Sequence, residues 1–182
     1  MADPIINIQN VVATASLGQN FDLRSIVRII PGAQYRPETF PGLVYRLKKP
    51  KTAILIFSTG KMVCTGAKSE RQSKKAVMKV VDDLKKNGIV IMGNPTIQVQ
   101  NIIASAGLGG TIDLEKTTYS LERTVYEPKQ FPGLIYRMDD PKVVILIFST
   151  GKLVCAGAKK EEDVHRAVAL LQKTLEEKEL IH

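Results

Sequence analysis

The chain has no tryptophan, two cysteines and two histidines among its 182 residues, and these scarcities remove several kinds of chemistry at once. Cys64 and Cys155 stand alone in two apolar stretches, too few and too isolated for a disulfide framework or a cysteine-rich metal site, and read as buried thiols. His165 falls within a helical pattern and His182 is the last residue, neither beside a paired nucleophile or base, so the sequence offers no enzyme site. The acidic run Glu161-Glu162-Asp163 lacks partner ligands at metal spacing and fits the first turn of a helix, where it complements the dipole. Neither a cofactor nor a metal is expected. No tract of 18 apolar residues occurs, and the N-terminus lacks the basic, apolar and small-residue pattern of a secretory leader. The expectation is a soluble intracellular protein that does not enter a membrane.

What the chain does have is basic charge and a repeat. Lys and Arg number 26 against 18 Asp and Glu, a formal net charge of +8, which suits a polyanionic partner such as nucleic acid without requiring one. A shift of 91 residues lays the sequence on itself without a gap: Ile8-Gln9-Asn10-Val11-Val12-Ala13 falls on Val99-Gln100-Asn101-Ile102-Ile103-Ala104. Phe40-Pro41-Gly42-Leu43 likewise falls on Phe131-Pro132-Gly133-Leu134, and Ile54 to Lys61 on Ile145 to Lys152. About 36 of 86 aligned positions are identical. Two copies are too few for a solenoid and predict a pseudo-twofold body of two repeats, residues 1–91 and 92–182, joined across Asn87-Gly88 to Asn94-Pro95. Charge is not repeated. Residues 1–91 carry 15 Lys and Arg against 6 Asp and Glu, residues 92–182 carry 11 against 12, so the halves are +9 and −1.

Each half reads as α+β. A first strand is predicted over 6–14, after which Asp22 and Asp113 can N-cap a short helix. Residues 43–47, 52–58 and 61–66 are rich in branched and aromatic side chains and predict three strands, the last two joined by a tight hairpin at Gly60-Lys61. Ser69 and Gln72 form a capping-box pattern, and Ala76, Val77, Val80, Val81 and Leu84 follow at helical spacing before Gly88. Val164, Ala167, Val168, Leu171 and Leu175 make the matching stripe in the second half.

Strand side chains alternate in direction, and here both faces are apolar: Met62 and Cys64 oppose Lys61, Val63 and Thr65, while Ile54 and Ile56 oppose Leu55 and Phe57. Two long helices cannot cover both sides. One face is expected to form the core and the other to remain an apolar working surface. Its polar border is repeat-paired: Asn10 with Asn101, Arg46 with Arg137, Lys61 with Lys152. Amides can read minor-groove acceptors, cations can engage phosphates, and Val or Thr can press on an A/T floor where guanine would add an amino group. Phe40, Phe57, Phe131 and Phe148 are paired as base-step wedges would be, with core packing as the competing reading.

The doubled Gln-Asn strand, the doubled Phe-Pro-Gly-Leu segment and the doubled Ile-Phe-Ser-Thr-Gly-Lys hairpin resemble TATA-box-binding proteins over about Ile6 to Leu180. The resemblance implies a general transcription initiation factor with one curved, ten-stranded antiparallel sheet, a saddle with helices on its convex face and DNA under its concave face. It implies binding in the minor groove of double-stranded A/T-rich promoter DNA, which is kinked by phenylalanine wedges; the kinking is known for this very family and is taken over from it. Residue by residue, it puts Asn10 and Asn101 at the central base pairs and Val12, Ile103, Val63 and Val154 on the groove floor. Leu55, Leu146 and Thr65 join the DNA-facing set. Phe40 with Phe57, and Phe131 with Phe148, become the wedge pairs, while Arg46, Arg137, Thr59, Thr150, Lys61 and Lys152 face the backbone.

Where the family usually has threonine in both copies, this chain has Thr65 but Ala156, which removes a hydroxyl contact on that side. No long low-complexity tail precedes the repeats, so the resemblance is to the compact archaeal type, with cytoplasm or nucleoid as its place, or nucleus for a eukaryotic member. A transcription factor B-like protein, and RNA polymerase through it, are the implied partners. Glu127, Lys129 and Gln130 form the expected dock, because Tyr126-Glu127-Pro128-Lys129-Gln130 puts an acid where Tyr35-Arg36-Pro37-Glu38-Thr39 has a base. The protein is expected to be monomeric on DNA and to self-associate through the apolar face when free. An RNA binder, or a protein-interaction scaffold using the same face, is the alternative.

Overall fold

The structure is a computed structural model that describes residues 3–182. Seven elements occur twice in the same order. The first series is β1 (Ile5–Ser16), α1 (Leu23–Ile29), β2 (Gln34–Tyr35), β3 (Leu43–Lys48), β4 (Lys51–Ile56), β5 (Lys61–Ala67) and α2 (Glu70–Lys86). The second is β6 (Thr96–Gly107), α3 (Leu114–Ser120), β7 (Thr124–Val125), β8 (Leu134–Met138), β9 (Val143–Ile147), β10 (Lys152–Ala158) and α4 (Glu161–Glu177). The ten strands make one open antiparallel sheet in the order β2-β3-β4-β5-β1-β6-β10-β9-β8-β7. The α+β reading therefore holds, with two-residue strands β2 and β7 that local sequence did not mark.

The chain divides into two compact units, Asn10–Gln100 and a second made of the residues up to Gln9 together with Asn101–His182. Both boundaries fall inside a strand, at Gln9-Asn10 and at Gln100-Asn101. Thus each unit holds one part of β1 and one part of β6.

In the unit Asn10–Gln100 the helices cover one sheet face. Ala76, Val77, Val80, Val81 and Leu84 of α2 are buried with Ala13, Leu43, Ile54, Ile56, Met62 and Cys64 of the strands. Burial of each larger aliphatic side chain contributes about 1.5–3 kcal/mol, so this stripe holds the helix in place. Asp22 caps α1 by accepting from Ser25 N at 3.3 Å and Ser25 Oγ at 2.9 Å. The Ser25 hydroxyl and backbone amide together hold the Asp22 carboxyl below the usual carboxylate range. Ser69 Oγ accepts from Gln72 N at 3.0 Å, but the returning bond goes to Lys68, whose N–H donates to Gln72 Oε1 at 2.7 Å. The predicted capping box is therefore displaced by one residue. Gly88 adopts φ +86 and lets Ile89 N donate back to Leu84 O at 3.0 Å, which ends α2 as its position suggested.

The other unit repeats this packing. Val164, Ala167, Val168, Leu171 and Leu175 of α4 are buried, as are Ile102, Ala104, Leu134, Ile145, Ile147, Leu153 and Cys155. Asp113 caps α3 through Lys116 N at 3.0 Å. The acids Glu161, Glu162 and Asp163 occupy the first turn of α4. Cys64 and Cys155 are free and buried, and burial pushes both thiols up to about 11. Among the described residues no group of side chains could hold a metal ion, and no helix is long and apolar enough to cross a membrane.

Candidate nucleic-acid interface

The sheet face turned away from the helices is built by register. In the unit Asn10–Gln100, Val44 pairs with Leu55, Leu55 with Val63, and Val63 with Thr14, so four half-buried side chains form one row across four strands. The neighbouring row is Arg46, Ala53 and Thr65. In the other unit the rows are Ile135, Leu146, Val154 and Ser105, and Arg137, Val144 and Ala156. Val12 and Ile103, half-buried, lie between buried neighbours on β1 and β6 and so share this face. The expected split of each strand into a core side and an open side is present in both repeats.

At the centre of each face a β-bulge sets an asparagine. Between the pairs Ala13 with Cys64 and Val11 with Ala67, β5 advances three residues while β1 advances two. Gly66 sits in that extra space at φ +96, and its N–H donates to Asn10 Oδ1 at 2.7 Å. Gly157, at φ +100, does the same for Asn101 Oδ1 at 2.7 Å. A backbone N–H can only donate, so the oxygen end of each amide is committed to the bulge and the NH2 end is the one left for other partners. Asn10 Nδ2 donates to Thr65 Oγ1 at 3.3 Å. Asn101 faces Ala156 instead and has no such acceptor. Each asparagine thereby presents its NH2 end as a donor, Asn10 held at both ends of its amide and Asn101 at one.

Two further polar residues escaped the sequence reading. Gln9 Nε2 donates to Ser105 Oγ at 2.9 Å, and Gln100 Nε2 to Thr14 Oγ1 at 3.0 Å. Thr14 belongs to the open face of the unit Asn10–Gln100 and Ser105 to that of the other unit, so Gln100 and Gln9 each reach the open face of their own unit. Along β6, Ile97 and Val99 pack on the core of the unit Asn10–Gln100, whereas the buried positions in the other unit are Ile102 and Ala104. The doubled Gln-Asn pair was the available signal.

At the hairpin end of each repeat stands a phenylalanine pair. Phe40 and Phe57 meet edge to face with ring centroids 5.9 Å apart and an interplanar angle of 62°; Phe131 and Phe148 do so at 5.9 Å and 66°. Phe40 and Phe131 are 37% and 39% exposed, too open for core residues. The intervening glycines permit this arrangement: a Cβ on Gly42 would stand 2.7 Å from Phe40 and 3.0 Å from Phe57, and Gly133 repeats both distances. The nearby hairpin turns through Ser58-Thr59-Gly60, closed by Phe57 N to Lys61 O at 2.9 Å, so Lys61 opens β5 and does not belong to the turn. Gly60 adopts φ +87, and a Cβ there would lie 2.0 Å from Gln19 O. Thr59, Lys61, Thr150 and Lys152 are exposed at these turns, and Arg46 and Arg137 are exposed at the other end of the strands.

Glu127, Lys129 and Gln130 are exposed in the loop between β7 and β8. Glu127 O accepts from Gln130 N at 2.9 Å and Phe131 N at 3.0 Å, just as Arg36 O accepts from Thr39 N and Phe40 N. The same turn thus presents opposite charges in the two repeats.

Comparison with known proteins identifies relatives of this chain. Residues 5–87 and 96–178 each match the family described as transcription factor TFIID, or TATA-binding protein. The TATA-box-binding protein of Pyrodictium occultum is 56% identical over 172 residues, covering 94% of this chain and 86% of that protein. That of Methanocaldococcus jannaschii is 49% identical over 175 residues and 96% of both chains. A solved structure of the Methanococcus jannaschii TBP superposes with a TM-score of 0.85 at 49% identity, covering 94% of this chain and 98% of that one.

Proposed function

The chain belongs to the TATA-box-binding protein family, whose members are DNA-binding transcription factors and not enzymes, and from that premise we propose that its open face reads the minor groove of A/T-rich promoter DNA. The observation that carries the reading is the pair of bulge-held asparagines. An A·T pair presents acceptors in the minor groove whichever way round it lies, adenine N3 and thymine O2, and the asparagine NH2 donor of each repeat matches them. The half-buried rows around Val63 and Val154 suit a floor without amino groups. Arg46, Arg137, Thr59, Thr150, Lys61 and Lys152 then supply phosphate and sugar contacts, which position the protein and make its affinity fall with salt.

The two phenylalanine pairs are the proposed wedges. Phe40 supports Phe57, and Phe131 supports Phe148, so the inserted ring is braced by its neighbour when it enters between base steps. Bound DNA would then be kinked once per repeat, with one protein monomer per site. We assign recruitment of a transcription factor B-like protein, and of RNA polymerase through it, to the loop that carries Glu127, Lys129 and Gln130.

Competition decides between the double-stranded reading and use of the same face for RNA. An A/T-rich duplex is expected to displace labelled A/T-rich duplex at far lower concentration than single-stranded RNA of equal length. Equal or stronger competition by the RNA would overturn the assignment.

A further inference from the structure

Comparing the two repeats, one difference lies directly beside the central asparagine: Thr65 in the first, Ala156 in the second. Its effect is on tethering and on space. Asn10 is held at two points, its Oδ1 by Gly66 N–H at 2.7 Å and its Nδ2 by Thr65 Oγ1 at 3.3 Å. Asn101 is held only through Oδ1, by Gly157 N–H at 2.7 Å, and its Nδ2 finds no acceptor among the described residues. Ala156, paired with Val144, ends in a single methyl group where Thr65, paired with Ala53, carries a hydroxyl and a methyl, so the second repeat has more room at this position.

We propose that Ala156 makes the second repeat the permissive reader of the central minor groove, able to accept a purine that carries a 2-amino group, while Thr65 keeps the first repeat strict. The inference rests on the minor-groove reading above. A 2-amino group rises from the groove floor as a donor, at the place that an A·T pair leaves free. Under the first repeat it meets the Thr65 side chain and an Asn10 NH2 fixed at both ends, donor against donor. Under the second repeat, Ala156 withdraws the hydroxyl and one methyl, and Asn101, tethered at one end, can turn its NH2 aside. Specificity here is set by what is excluded. A single non-A·T pair at the centre of a site would therefore be sorted to the second repeat, which gives the binary complex a direction before any partner joins.

A palindromic A/T duplex tests this when 2,6-diaminopurine replaces one, or both, of the symmetry-related central adenines. The replacement adds the minor-groove amino group and keeps the thymine pairing. The wild-type protein can turn the single substitution toward Ala156, so that duplex is expected to bind within about twofold of the parent, and the double substitution about tenfold more weakly. In A156T the single substitution already costs about tenfold; in T65A the double substitution costs no more than the single one costs the wild type. Thermal melting of both variants checks that they fold, and T65A carries the test independently if A156T does not. An A156T protein that matches wild type on all three duplexes overturns the inference, as does a wild type that loses equal affinity at each substitution. Failure of every variant to bind the unsubstituted duplex would instead overturn the minor-groove reading itself.

Discussion

Gly66 donates its backbone N–H to the side-chain oxygen of Asn10 at 2.7 Å, and the bond exists because the glycine occupies a bulge at φ +96. An amide released from the strand ladder needs a partner, and the asparagine opposite supplies one. The consequence is chemical: the bulge decides which end of the amide stays available.

Asn10→Ala and Asn101→Ala are therefore expected to weaken binding to an A/T-rich duplex by about 1–3 kcal/mol each. Asn10→Asp keeps an oxygen for Gly66 N–H but turns an acceptor toward the groove, and should bind less well than the alanine variant. Fluorescence anisotropy titrations measure these losses, and melting curves near wild type show that the fold is intact. Unchanged affinity in both alanine variants would remove the asparagines from the interface.

Much of this arrangement is legible in the sequence. The 91-residue shift reappears as a series of elements that occurs twice, the 3.6-residue spacing of Val77, Val80, Val81 and Leu84 marks α2, and alternation divides Leu55 and Val63 from Ile54 and Met62. Less legible were features that depend on pairing across the sheet. The open-face positions of Gln9 and Gln100 follow from the point where β1 and β6 pass from one unit to the other, which no local period shows. The strands β2 and β7 have two residues each and exist by pairing with β3 and β8. The bulges left a visible trace in Gly66 and Gly157, glycines inside strand patterns, but their hydrogen bond to an asparagine 56 positions away did not.

The wedge assignment predicts a loss of bending. Phe57→Ala and Phe148→Ala together should reduce the DNA bend as well as the affinity, because unstacking a base step has to be offset by the apolar ring that enters it. Energy transfer between dyes at the ends of a bound duplex reports the angle. An undiminished bend in the double variant rules the wedge role out.

The buried thiols predict a sensitivity to alkali. In the native state Cys64 and Cys155 titrate at about 11, whereas an unfolded thiol ionises near 8.5. The folded pKa is raised, so the contribution of both thiols is complete below the unfolded value and is lost as pH climbs through the folded one. Each thiol should erode stability by about 1.4 kcal/mol per pH unit in that window. Denaturant unfolding from pH 8 to pH 11 is expected to show a shallower decline in the Cys64→Ala, Cys155→Ala double variant than in wild type. Parallel declines would refute a common origin in these two groups.

The charge asymmetry between the repeats makes the final prediction. Glu127 and Arg36 occupy equivalent turns, each accepting through its carbonyl from the phenylalanine four residues on, yet they present opposite charges. A partner that recognises the acidic version by attraction would be repelled at the basic one, so one dock per complex results from like-charge exclusion. Glu127 is exposed and its side chain is not part of either sheet face, which separates its effect from groove contacts. Glu127→Arg is therefore expected to leave binary DNA binding within about twofold of wild type and to lower recruitment of the factor B-like protein by at least about tenfold, the range of a disrupted charge pair at an interface. Gel-shift titrations with and without that partner separate the outcomes. Equal loss in both would make Glu127 a DNA contact, and no loss in either would remove this loop from the docking surface.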